Sequence, residues 1–342
     1  MDIKSFLRNS LMLLSAVVVA SCSGGANNAA GATTSLQTVT SIPGFSNQQI
    51  DIYDTSAATK AVVFLHGGDG TNYGMAHDLG LNSNNGPPSN NSINWDWLNS
   101  HQVLAVFPQG QAGKGTATWS NHVMDSGQDD VAFLQALATY IKNQYGISNI
   151  YLVGHSNGGM MANRMWCESP TTFTAYIAIS GPTSAFYLLG DPDYTGASCS
   201  PQTFAPYYAI VGSADTVLDD ATNAGTFQGN VWTIDPGYVA NPAAWVNPSN
   251  PDLIGEWHQY SAIRSHQMCP GQPQPIFSDG QTAGNVTTWS TCGGQLKLQE
   301  VNGADHWISS NPFTGDTSNS LQTKAGTDLI DSAAQFISDN GG

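Results

Sequence analysis

Six short apolar runs recur along the chain: KAVVFLH at 60–66, VLAVF at 103–107, IYLVG at 150–154, AYIAIS at 175–180, YYAIVG at 207–212 and LKLQEV at 296–301. Runs of this length suit strands, and those without polar alternation suit strands buried on both faces. Between them apolar residues return at helical spacing. Over 130–145, Leu134, Leu137, Ile141 and Tyr145 share one face, Asp129 or Asp130 stands where a helix start is capped, and Gly146 stands where it ends. Residues 327–338 repeat the pattern with Leu329, Ile330, Ala333, Phe336 and Ile337. Strands alternating with helices predict an α/β fold, a mostly parallel sheet with helices on both faces. Residues 81–95, 182–205 and 221–260 break the pattern with Asn, Ser, Pro, Gly, Asp and scattered aromatics. They are expected to be loop insertions at the sheet edge, where open α/β folds place their binding sites.

The N-terminus follows a different logic. Lys4 and Arg8 precede an apolar stretch over 11–20, and Val19-Ala20-Ser21-Cys22 matches a lipobox, in which the cysteine is acylated after cleavage. The stretch is too short for a permanent membrane span. Residues 1–22 are therefore expected to be the signal of an exported bacterial lipoprotein anchored at Cys22, with a plain secretory signal as the alternative. Ser23 in place of Asp points onward to the outer membrane, with release from the cell as the other possibility. The small, polar residues 23–36 suit a flexible tether, which leaves 37–342 as a single catalytic domain.

The net charge is −16, and removing residues 1–21 takes away Asp2, Lys4 and Arg8 and makes it one unit more negative. Such a field repels nucleic acid and polyanionic substrates. Besides Cys22 there are Cys167, Cys199, Cys269 and Cys292. In an exported chain an even count favours disulfides; three pairings are open, and the expectation taken here is Cys167 with Cys199 and Cys269 with Cys292. No cysteine or histidine spacing suits zinc, and neither a metal nor another cofactor is expected. The chain is expected to act as a monomer.

The chemistry centres on NIYLVGHSNGGM at 149–160. A strand ends at Gly154, and after Ser156 the residues Met160, Met161, Ala162 and Met165 resume at helical spacing, so a serine sits at the apex of a very tight strand-to-helix turn. In G-x-S-x-G the glycines are required because a β-carbon there would strike the adjoining strand or helix. A serine hydroxyl needs a base, and the base needs a carboxylate that fixes its tautomer. In this type of fold the order is serine, acid, histidine. His306, in VNGADHWI after the last strand, is the expected base, ahead of His258, His266 and His155. Asp215, just beyond the strand ending at Gly212, is the expected acid, ahead of Asp219, Asp220 and Asp305. The glycines of FLHGGDG at 64–70 let backbone approach a substrate carbonyl, so the N–H groups of Gly68 and Asn157 are the candidate oxyanion donors. His66 reads as a brace for that loop rather than a base.

Together HGG at 66–68, Trp119, DDVAFL at 129–134, YLVGHSNGGMMANRMWC at 151–167, GSADTV at 212–217, WSTC at 289–292 and GADHW at 303–307 resemble the secreted esterases grouped as polyhydroxybutyrate depolymerase and feruloyl esterase relatives. The likeness runs over about 48–338 with motif order preserved. It implies an α/β-hydrolase fold with Ser156, Asp215 and His306 on the triad motifs and Trp307 in the substrate cleft, with His66 and Trp119 as further cleft candidates. It also implies hydrolysis of a polyester or oligoester, foremost of the poly(3-hydroxybutyrate) type. Two rivals stand beside this: a feruloyl or acetyl esterase on plant polysaccharide or an aromatic polyester hydrolase, and a surface binding lipoprotein that keeps the scaffold without the reaction. Nothing resembles a separate polymer-binding domain. Trp232, Tyr238, Trp245 and Trp257 either line a cleft or pack the insertion that holds them, packing being favoured.

Overall fold

Ten strands make up one sheet: β1 (Thr34–Ile42), β2 (Phe45–Thr55), β3 (Lys60–Leu65), β4 (Val103–Pro108), β5 (Ile150–His155), β6 (Ala175–Ile179), β7 (Tyr207–Gly212), β8 (Gln281–Ala283), β9 (Val286–Thr291) and β10 (Leu296–Val301), in the order β1-β2-β4-β3-β5-β6-β7-β10-β9-β8. They come from a computed structural model that describes residues 33–112, 115–184, 186–189, 199, 203–218, 252–273 and 275–342. The signal, Cys22, nearly all of the tether, and much of 182–205 and 221–260, with Trp232, Tyr238 and Trp245, lie outside the described residues.

The six apolar runs are the six parallel strands, β4-β3-β5-β6-β7-β10. Alternate side chains supply two cores. Val63 and Leu65 of β3, Val106 of β4 and Leu152 of β5 pack with α3 (Asp130–Tyr145) and α4 (Asn157–Glu168). Val62 and Phe64, Phe107, and Val153 pack on the other face with α1 (Asn72–Asp78), α2 (Trp95–His101) and the C-terminal helix Leu329–Asp339. A strand buried on both faces has little room for a polar side chain, hence the apolar runs of the first five; β10, with Lys297 and Gln299 half-exposed, alternates instead. Of the two candidate caps Asp129 takes the role on α3, its carboxylate accepting the Ala132 N–H at 3.1 Å, and Gly146 ends the helix at φ 68°.

The sheet continues antiparallel at both ends, through β2 and β1 on one side and β9 and β8 on the other. These four strands alternate or expose polar residues and escape an apolar-run criterion. β1 starts at Thr34, so the stretch expected to be tether gives way to sheet two residues before its expected end. Residues 81–95 join α1 to α2, and Leu81 and Ile93 are buried in the core of that face. Trp257 packs among Tyr260, Phe277 and Trp289 at ring-centroid distances of 5.2–5.6 Å, as the packing alternative expects.

Chain order and sheet order diverge in the middle. β3 leads to β4 on one side of itself, and β4 leads to β5 on the other, so the crossovers part above the carboxyl ends of β3 and β5 and leave a crevice there. Into it run the glycine loop after β3 and the serine turn after β5. Among the described residues no helix is long and apolar enough to cross a membrane.

Both expected disulfides are present. Cys167–Cys199 ties the end of α4 to the 182–205 insertion, and Cys269–Cys292 ties the segment after the helix Ser265–Met268 to the end of β9. The first spans 32 residues. Its removal in Cys167→Ser/Cys199→Ser should lower the unfolding free energy by about 3 kcal/mol in urea titrations; an unchanged midpoint would mean that the bridge adds nothing to the fold.

Candidate active site

The turn after β5 leaves no room for side chains at its glycines. A β-carbon on Gly154 would lie 2.1 Å from the Gly158 carbonyl oxygen, and one on Gly158 would lie 2.5 Å from the Leu65 carbonyl oxygen of β3. The close approach forces Ser156 to φ 53°, ψ −122°, a conformation that non-glycine residues seldom adopt. Its N–H is tied to the Ile179 carbonyl of β6 at 2.8 Å. Between 151 and 163, Ser156 is the one residue that is not fully buried. The local sequence thus produces a strained, presented serine at the head of α4.

Two loops bring the acid and the histidine together from the far side of the sheet. Asp215 follows β7, His306 follows β10, and the His306 Nδ1 donates to Asp215 Oδ2 at 2.8 Å with both side chains shut from solvent. The other Asp215 oxygen accepts the Val217 and Leu218 N–H groups, each at 2.9 Å. Burial alone would raise the Asp215 pKa, but the His306 ring and those N–H groups hold it below the ordinary carboxylate value. Asp305, a rival for the acid, is engaged elsewhere. Its Oδ1 accepts the Thr216 N–H at 2.9 Å, the Thr216 hydroxyl at 2.8 Å and the His306 N–H at 2.8 Å, which fastens one loop to the other. Asp219 and Asp220 lie outside the described residues, as does the side chain of His258; His266 is exposed on its helix.

His155 is the link between serine and histidine. Its Nε2 donates to the His306 carbonyl at 3.0 Å, and its ring lies 5.0 Å from that of His306. Burial, then the neighbouring His306, pushes its pKa down to about 3, so it stays neutral beside the ring that would take up a proton.

The glycine loop after β3 meets the head of α4. A β-carbon on Gly68 would be 3.8 Å from the Asn157 Cβ, so the two candidate donors sit side by side. Asn157 is the first residue of α4, where the N–H has no intrahelical acceptor. Its side chain is fully engaged: Oδ1 accepts the Trp119 N–H at 2.7 Å, and Nδ2 donates to the Trp119 carbonyl at 3.1 Å.

Two expectations for the substrate cleft are corrected. His66 and Trp119 are 2 % and 0 % exposed and cannot touch a substrate. The His66 Nδ1 donates to the Gly67 carbonyl at 2.7 Å, while its Nε2 accepts from the Gly110 N–H at 2.9 Å and from Gln109 Nε2 at 3.0 Å. Burial drives its pKa down to about 4. The Trp119 indole N–H holds the His66 carbonyl at 3.0 Å. Both brace the glycine loop, because a backbone cradle needs its own carbonyls tied back. Trp307 is half-buried, edge-on to His306 at 5.0 Å and to Phe313 at 5.8 Å, and Phe313 is 85 % exposed.

The loop between β4 and α3 offers little in the sequence beyond Trp119 and a helix cap, yet it packs directly on the donor pair. Asn121 Nδ2 donates to the Asn157 carbonyl at 3.1 Å, the Asn121 carboxamide oxygen accepts the Val123 and Met124 N–H groups at 3.0 and 2.9 Å, and Asp130 accepts the Ser120 N–H at 2.7 Å. The usable signal is position: a loop leaving the carboxyl end of a strand beside the crevice and carrying an apolar Val-Met pair amid polar neighbours.

Residues 52–170 match a family profile described as "Alpha/beta hydrolase of unknown function (DUF915)". The chain has the α/β-hydrolase fold. The sheet order and the serine turn agree with that match. No curated protein sequence matches the chain significantly. Among solved structures, an S-formylglutathione hydrolase from Agrobacterium tumefaciens is similar at 11% identity and TM-score 0.49, covering 91% of this chain and 98% of that one. TT1662 from Thermus thermophilus is similar at 13% and 0.47, covering 90% and 98%. An acetyl xylan esterase from Aspergillus awamori is similar at 16% and 0.44, covering 85% and 99%.

The two buried histidines make a prediction about acid. Each has a folded pKa, about 4 for His66 and about 3 for His155, below the ordinary 6.5. The unfolded chain therefore binds the extra protons, and each contribution is intact above pH 6.5 and is lost as pH falls from there toward the folded value. Glu256 and Glu300, raised by burial to about 8 and about 7, act in the opposite direction, so the test is a difference. Between pH 4.5 and 6 stability should fall more steeply with acid in the native chain than in His66→Gln, by about 1 kcal/mol per pH unit. Equal slopes would mean that His66 is not held neutral.

Proposed function

We propose that this protein is an exported serine esterase that cleaves polyester or oligoester bonds of the 3-hydroxybutyrate type. The observation that carries the reading is the strained, presented Ser156 on the crevice between β3 and β5, together with a buried His306–Asp215 pair whose histidine is bonded to the adjoining His155. In this mechanism the Ser156 oxygen attacks the ester carbonyl carbon and its proton passes to His306 Nε2. The resulting oxyanion takes hydrogen bonds from the Gly68 and Asn157 N–H groups. As the tetrahedral adduct collapses, the leaving alkoxide takes the proton from His306 and departs as the alcohol, leaving an acyl-serine. Water then repeats the sequence with His306 as base and releases the acid. Asp215 remains ionised throughout, since its surroundings favour the carboxylate, and it holds the Nδ1–H tautomer that leaves Nε2 free to accept.

The motif likeness to polyhydroxybutyrate depolymerase relatives supports the substrate. Two disulfides support export, since such bridges persist in oxidising compartments. Cys22 is then the lipid-anchored residue. A second reading, a feruloyl or aromatic polyester hydrolase, is favoured by one feature: the edge-to-face Trp307–Phe313 pair beside His306 offers a surface to a flat ring.

Ser156→Ala should lose ester hydrolysis by about ten-thousandfold or more, and a fluorophosphonate should label Ser156 in the native chain alone. Full turnover of p-nitrophenyl esters by the variant sinks the assignment. Asp215→Asn should keep its fold, by far-UV circular dichroism, and lose about ten-thousandfold in kcat; a loss below tenfold removes Asp215 from the triad. Amorphous polyhydroxybutyrate, its oligomers and methyl ferulate, offered side by side, separate the two substrate readings.

A further inference from the structure

We propose that Met124 is the specificity-determining residue on the acyl side of this site, and that it selects esters whose acyl group is apolar and longer than acetyl. The inference rests on the serine-esterase reading and adds the direction in which each part of the ester lies.

A tetrahedral adduct on Ser156 has three outward directions. The oxyanion faces the Gly68 and Asn157 N–H groups, and the leaving oxygen faces His306, from which it takes its proton. The acyl substituent is left with the direction away from His306. Sheet order says what stands there: Ser156 follows β5, His306 follows β10 on one side of it, and the loop bearing Met124 follows β4 on the other.

Met124 is half-buried and lies on the donor pair itself. Its Cε and Sδ are 3.5 and 3.7 Å from where a β-carbon on Gly68 would be, and Asn157 Nδ2 donates to its sulfur at 3.3 Å, with the Thr118 hydroxyl a further donor at 3.6 Å. These contacts fix the sulfur and the end methyl beside the place a carbonyl oxygen would occupy. Asn121 pins the backbone of the same residue. Next to it, Val123 packs on a small apolar cluster of Met160, Leu218 and Leu253, of which Met160 stands one helical turn beyond Ser156. On the β4 side the wall is the apolar pair Val123 and Met124, and the cluster beneath it continues to Leu218 after β7. A thioether is apolar and polarisable and adapts to an alkyl chain; an ionised acyl group gains nothing there.

The experiment compares p-nitrophenyl acetate with p-nitrophenyl butyrate on the native protein and on Met124→Ala, Met124→Gln and Met124→Leu. The ratio of kcat/KM for butyrate to that for acetate should fall about tenfold in Met124→Ala and Met124→Gln, and Met124→Leu should recover most of it, since a buried methylene or two is worth about that much. An equal loss on both esters in the Ala and Gln variants overturns the inference, because Met124 would then act only by holding Asn157. An unchanged ratio overturns it too. If the Ala variant fails to fold, Met124→Gln, of similar length, decides the matter. Absence of fluorophosphonate labelling and of turnover of either ester by the native protein would defeat the serine-esterase reading itself, a result distinct from both.

Discussion

Backbone of β5 touches backbone of α4 with no side chain between them, and the geometry of the site descends from that contact. With Gly154 against the Gly158 carbonyl, the strand can pass into the helix within one residue, and that residue is forced to positive φ. Three consequences arrive together. Ser156 is lifted out of an otherwise buried run, the N–H of Asn157 is left at a helix start without an intrahelical acceptor, and α4 lies so close to β3 that Gly158 rests on the Leu65 and His66 carbonyls. The glycine loop is thereby brought against the head of the helix. A strained serine costs on the order of 1–3 kcal/mol, and the buried neighbours on every side keep it from relaxing.

Around this contact the polar groups hold one another rather than water. His66, Trp119, Asn121 and Asn157 form a chain of backbone and side-chain bonds that joins the loops after β3, β4 and β5. On the other side Asp305 and His155 do the same for the loops after β5, β7 and β10. Each loop end that faces the crevice is tied to its neighbour, so the positions of Ser156, His306 and the two N–H groups are set by the sheet rather than by substrate. The histidines in these braces are kept neutral by burial, and this matters for the proposed chemistry as well as stability: a cationic His155 against His306 would oppose the imidazolium that the proposed mechanism forms.

How much of this is legible in the sequence follows from what burial does to a pattern. Five of the parallel strands are visible because burial on both faces leaves nearly unbroken apolar runs, and β10 by its alternation; β1, β2, β8 and β9 are not, because an edge strand with a wet face carries Thr, Ser, Gln and Asn. The expected tether runs slightly too long for the same reason, since Thr34, Ser35 and Leu36 look like linker until their partner strand is known. The serine turn, the glycine loop and both disulfides are readable, because glycine at a close contact and an even set of cysteines carry their physics in their identity. His66 and Trp119 are expected to line the cleft as well as to stand near it; proximity to a site does not reveal whether a ring faces substrate or the backbone that cradles it. Met124 and Asn121 escape a reading of the sequence, because a residue that matters through which neighbours it meets has no mark of its own.

The insertion after β7 belongs to the same logic of support. Where it rejoins the described fold, Arg264 is wholly buried with its guanidinium 4.2 Å from the Trp166 ring of α4 and 3.7 Å from the Tyr207 ring of β7, and it donates to Asn163 on α4. Gln259 donates to the same Asn163 oxygen at 2.9 Å and accepts the Thr183 N–H at 2.8 Å. A buried cation stacked between two rings and bonded to a carboxamide is a costly arrangement to leave half-made. The segment over 252–268 is therefore held in register with α4, two helical turns from Ser156, while the preceding disulfide to Cys167 fastens the other insertion to the end of the same helix. Both excursions from the sheet are thus anchored on the one helix whose first residue belongs to the proposed oxyanion pair, so that a change of loop there would reach the site without moving the serine.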